Sequence, residues 1–75
     1  MKKQIIEISN KLGFDKTESK NPYMISFVNK EKDIHINVYF TTMTILVLFY
    51  KTRENKMYQN VSLEEYEKIL YDSTL

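Results

Sequence analysis

The chain has no cysteine and no tryptophan, and glycine, proline and histidine occur once each. Without cysteine there is neither a disulfide framework nor a thiolate metal site. A single histidine excludes a histidine-cluster zinc centre, and a single glycine excludes a phosphate-cradling loop. No apolar run is long enough to span a membrane, because the least polar stretch, Ile34–Tyr50, is interrupted by His35, Asn37 and several threonines. Met1 is followed by two lysines but not by the apolar core of a signal peptide. Charge of one sign is also lacking. Eleven basic residues against ten acidic ones make neither the footprint of a dedicated DNA binder nor the surface of a DNA mimic. The expectation is a soluble, cytoplasmic protein, without metal or cofactor.

What remains is a chain of 75 residues, read as one α+β domain over 1–75. A domain of this size buries only about 60% of its unfolded surface, and small scaffolds often need a staple. With disulfides and metals excluded, stability falls to a tightly packed core or to an interface. The aromatic content of 13%, mostly Tyr, suits either.

The spacing Ile5, Ile8, Leu12, with Ser9 beside it, predicts a helix over Lys2–Leu12. Gly13 then takes the left-handed C′ position and Phe14 folds back in a Schellman-type stop. Residues 15–22, DKTESKNP, read as a polar loop ending in Asn-Pro. Tyr23–Val28 reads as a first strand and NKEKD (29–33) as its hairpin turn. The second strand alternates cleanly, Ile34, Ile36, Val38 and Phe40 against His35, Asn37, Tyr39 and Thr41. The third, Thr44–Tyr50, is apolar on both faces, with Leu46 and Leu48 opposite Ile45, Val47 and Phe49. Thr41–Met43 predicts a turn slightly longer than two residues or a bulge, KTRENK (51–56) a charged loop, and Lys56–Asn60 an optional fourth strand. Ser62 and Glu65 fit a capping box, with Val61 and Tyr66 as a hydrophobic staple. The helix they open buries Leu63, Tyr66, Ile69 and Leu70, pairs Glu64 with Lys68, and frays after Tyr71. No internal repeat is visible. The expected architecture is a small two-layer domain, α-β-β-β-(β)-α, with an antiparallel sheet and both helices on one face.

Two helices on one face leave the other face uncovered. That face would display His35, Asn37 and Tyr39 beside Leu46 and Leu48, a row of a kind that marks interfaces. A protein partner or self-association as a homodimer would cover it. The bland alternative is a loop or terminus folded over the row. His35 has no cysteine and no second histidine to work with. Ser26 could lie near it, but no nucleophile elbow or oxyanion loop accompanies the pair, so no catalytic residue is assigned and no enzyme is expected. The competing reading is RNA or single-stranded nucleic acid held by Lys51, Arg53 and Lys56 with Tyr50 and Tyr58 as stacking groups. The order helix–strands–helix is also that of double-stranded-RNA-binding domains. Those place lysines at the start of the last helix, where this chain has SLEEYEK, which repels phosphate.

The segments INVYFTTMT (Ile36–Thr44) and QNVSLEEYEKIL (Gln59–Leu70) resemble a family of small, largely uncharacterised proteins of phages and low-GC Gram-positive bacteria. The family's His-Pro-Lys loop is replaced by FYKTRENK, and the resemblance implies no particular activity. Together with the Lys-, Asn- and Ile-rich composition it gives the expectation of a phage or mobile-element protein. Such a protein would act by protein–protein interaction, as a host-takeover or anti-CRISPR-like inhibitor does.

Overall fold

The computed structural model describes residues 1–75 as α1 (Lys2–Lys11), β1 (Asp15–Thr17), β2 (Met24–Asn29), β3 (Ile34–Tyr39), β4 (Thr44–Phe49), β5 (Glu54–Tyr58) and α2 (Leu63–Ser73). The strands form one antiparallel meander in the order β1-β2-β3-β4-β5. Both helices pack on one side of it, as the alternation in β3 requires. Ile5, Phe14, Tyr66 and Leu70 form a single core with Phe27, Ile36, Val38, Ile45 and Val47.

The chain folds locally for identifiable reasons. Gly13, at φ 87°, ends α1 as a Schellman motif: Phe14 N–H donates to Ser9 C=O (2.8 Å) and Gly13 N–H to Asn10 C=O (3.1 Å). Phe14 is thereby turned into the core, where it is fully buried. At the other end of the chain, Ser62 and Glu65 make the reciprocal capping box, and Val61 and Tyr66 are both buried beneath it.

Several elements differ from the sequence reading. Asp15–Thr17 is not loop but an edge strand, paired with Val28–Ser26. Three polar residues give no detectable alternation, so the sequence carries no signal for it. Tyr23 lies outside β2 and is exposed rather than sharing the face of Ile25 and Phe27. The fourth strand of the sequence reading exists but begins at Glu54, so half of the supposed KTRENK loop is paired backbone. The Glu64–Lys68 pair does not form; the ion pair on α2 is Glu67 with Lys11 of α1, at 3.2 Å. The helix continues to Ser73, where the Ser73 hydroxyl donates to Leu70 C=O.

The backbone also has a period that the residue types hide. β2, β3, β4 and β5 begin at Met24, Ile34, Thr44 and Glu54, and the residues before the last three, Asp33, Met43 and Arg53, have φ of 56°, 49° and 61°. Each hairpin loop spans the same length between directly paired residues, Asn29↔Ile34, Tyr39↔Thr44 and Phe49↔Glu54. The longer turn expected at Thr41–Met43 is therefore one of three equivalent turns, each closed by a left-handed residue that is not glycine. The carbonyls of Asp33 and Met43 accept hydrogen bonds from Tyr50 and Val61, tying successive turns to the next crossing of the chain.

Candidate interaction surface

The register fixes which side chains share the helix-free face. One row across the sheet runs Asp15, Val28, His35, Leu48, Asn55, and the next runs Thr17, Ser26, Asn37, Leu46, Met57. A third is made by Met24, Tyr39 and Thr44. The five interface candidates read from sequence, His35, Asn37, Tyr39, Leu46 and Leu48, thus meet on one surface, with Leu48 directly opposite His35 and Leu46 opposite Asn37. All five are half-buried, and neither helix lies over them.

Three apolar members of this face, Met24, Val28 and Met57, lie outside the candidates read from sequence. Val28 is 8% exposed, flanked in its row by Asp15 and His35. It is legible in hindsight, since Ile25 and Phe27 on one face put Val28 on the other. Met57, 62% exposed, became assignable only once β5 was paired with β4.

Two polar groups of neighbouring strands on the face are paired. Ser26 Oγ donates to Asn37 Oδ1 at 2.9 Å. His35 makes no side-chain hydrogen bond; its ring meets Tyr50 edge-on, with centroids 4.4 Å apart and planes at 86°. Ser26 lies in the neighbouring row and is committed to Asn37, so the structure does not assemble a serine–histidine pair. No group of three or more His, Asp or Glu side chains converges anywhere in the chain.

The nucleic-acid candidates are divided between two surfaces. Tyr50, Lys51 and Arg53 share the exposed β4–β5 turn, with Tyr50 leaning over the open face. Lys56 and Tyr58 face the other way, opposite Val47 and Ile45 on the helix side. There the Lys56 ammonium lies 5.7 Å from the Phe49 ring centre. Between α2 and strands β4 and β5 lies a groove of about 660 Å³ lined by Val47, Phe49, Tyr58, Val61 and Ile69.

No helix is long and apolar enough to cross a membrane. Comparison with family models, with curated proteins and with solved structures returned no match.

Proposed function

We propose that the protein is a small non-enzymatic binding module that docks its open sheet face on another protein surface. The carrying observation is the arrangement of that face: half-buried Leu46 and Leu48 and exposed Met57 lie beside His35, Asn37 and Tyr39, with no element of the chain above them. Size, composition and the INVYFTT…NVS resemblance support a phage or mobile-element origin, and with it an inhibitor of a host machine of the anti-CRISPR-like kind. The test is Leu48→Asp, assayed for association and for far-UV circular dichroism. Loss of association with an intact helical signal supports docking; wholesale unfolding makes the row part of the fold's own core and overturns it.

A second reading, binding of RNA or single-stranded nucleic acid, is favoured by the clustering of Tyr50, Lys51 and Arg53 in one exposed turn. It loses Lys56 and Tyr58, which point to the opposite side of the sheet. Under it, affinity for short RNA falls steeply with salt and neutralising Lys51 and Arg53 flattens the slope. Absence of binding at low salt ends it.

A further inference from the structure

We infer that the occupant of the open sheet face is a second copy of this chain, stacked on it about a two-fold axis running along β3. This rests on the reading of the face as a protein-docking surface, and two independent features single out the partner.

The first is charge. Of the four charged residues within the strands, Asp15 alone lies on this face, and it sits on the short edge strand. The other charged strand residues, Lys16, Glu54 and Lys56, all pair onto the helix side. A sheet face meant for water ordinarily alternates charged and polar side chains outward. Here charge has been kept from one side of the sheet only. Such a surface offers no counter-charge to phosphate or to a strongly charged protein. It does meet its own copy without setting like charges opposite one another.

The second is shape. In the order β1-β2-β3-β4-β5, a two-fold along β3 lays β4 of each copy over β2 of the other and β5 over β1, while each row stays level with itself. Between β4 and β2 and between β5 and β1 large side chains then face smaller ones: Leu46 over Ser26, Leu48 over Val28, Met57 over Thr17, and Met24 over Thr44. His35, Asn37 and Tyr39 of β3 each face their own copy. Asn37 is the central one of these three, between His35 and Tyr39 on the axis. Its Oδ1 already accepts from Ser26, while its amide N–H groups are free to bond across the axis. Antiparallel sheets stack in this way about 10 Å apart, with interdigitated side chains. At about 4.8 Å per strand and 3.3 Å per residue the stacked area buries on the order of 1,000 Å² in total, the small end for a specific interface. An interface of that size belongs with weak, transient contacts, and the concentrations tested are set for a micromolar dissociation constant.

Sedimentation equilibrium from about 10 μM to about 1 mM spans such constants. The expected mass rises from 9.1 kDa toward twice that value. Asn37→Asp and Asn37→Lys each weaken the dimer at least tenfold, because each puts two like charges at the axis. Mixing the two variants restores it, a rescue that only a face meeting itself can give. Circular dichroism of each variant confirms folding, and the near-isosteric Asn37→Asp keeps the acceptor for Ser26. A mass fixed at 9.1 kDa throughout, or a dimer indifferent to both variants, overturns the inference. If the wild type stays monomeric while Leu48→Asp abolishes binding to a purified partner protein, the docking face stands and the second copy does not.

Discussion

Ser9 of α1 and Tyr66 of α2 meet through their hydroxyls at 2.7 Å, both side chains fully buried, and this is the one polar bond inside the core that joins the two helices. Ser9 Oγ also lies 2.6 Å from Ile5 C=O, which can only accept. The single serine proton therefore goes to Ile5, and Tyr66 is the donor to Ser9. Two helices at opposite ends of the sequence are thus held in one register by a bond with a defined direction.

That direction makes the two deletions unequal. Tyr66→Phe removes a donor and leaves Ser9 still bonded to Ile5, so its cost is about 1 kcal/mol. Ser9→Ala strands the buried phenol without an acceptor and costs more, about 1–3 kcal/mol. Combining the two changes removes the stranded group, so the pair is less destabilising than the sum of the singles. Urea denaturation of the four proteins measures the cycle. Equal single-variant costs that add in the double variant would contradict the assigned donor.

The same bond has an alkaline signature. Burial pushes the Tyr66 phenol well above its ordinary value. A Ser9 hydroxyl turned toward the phenolate offsets this only in part, and would abandon Ile5. Below the unfolded tyrosine pKa of about 10 both states hold the proton and the contribution is complete. Above it the unfolded chain releases the proton while the native state retains it, so stability falls as pH rises. The urea midpoint of the wild type should drop more between pH 8 and about 10.5 than that of Tyr66→Phe. Parallel pH dependence in the two proteins would remove the effect from Tyr66.

The parts of this fold legible in the sequence are those written in side-chain chemistry. Gly13 followed by Phe14 announces the end of α1, and Ser62 with Glu65 announces the start of α2. The period-two run from Ile34 to Tyr39 announces a strand with one buried face, and Leu46 with Leu48 announces the apolar row on the other. Asp15–Thr17 and Glu54–Tyr58 were hidden or blurred because edge strands pair on one side only and their side chains are largely exposed. Ser9 reads as a neutral interruption of an apolar stripe, since its partner lies at Tyr66 and only tertiary packing brings them together. The division of Tyr50 from Tyr58 across the sheet was equally hidden, because it depends on the length of a turn whose residues do not declare its geometry.

The capping box makes α2 sensitive to acid. Glu65 is held below its ordinary carboxylate value, chiefly by the Ser62 backbone N–H and then by the Ser62 hydroxyl. A depressed folded pKa means the contribution is present above the unfolded value of about 4.3 and is lost as pH falls below it. Ser62→Ala should cost about 1 kcal/mol at neutral pH. Glu65→Gln keeps an acceptor for the Ser62 N–H but cannot titrate, so the acid limb of its stability curve should be shallower than that of the wild type. Thermal melts at pH 7 and pH 3.5 compare the two slopes, and identical slopes would place the acid sensitivity elsewhere.

The three equivalent turns give a comparison in which backbone geometry is constant and burial is not. Asp33, Met43 and Arg53 all sit in the left-handed region, where a side chain costs roughly 1 kcal/mol and glycine does not. Arg53 is exposed, so Arg53→Gly relieves strain without losing contacts and should stabilise by about 0.5–1 kcal/mol. Aspartate tolerates this region better than most residues, so Asp33→Gly gains less. Met43 is the exception, because its side chain is buried in the core cluster. Met43→Gly relieves the same strain but removes a core side chain, at a cost of about 2–5 kcal/mol on the scale of methionine truncations, and must destabilise. The expected order of urea midpoints is Arg53→Gly above Asp33→Gly, the latter at or just above wild type, and Met43→Gly well below. A stabilising Met43→Gly would mean that its side chain does not hold the β3–β4 turn against the core, and the equivalence of the three turns would then extend to their packing as well.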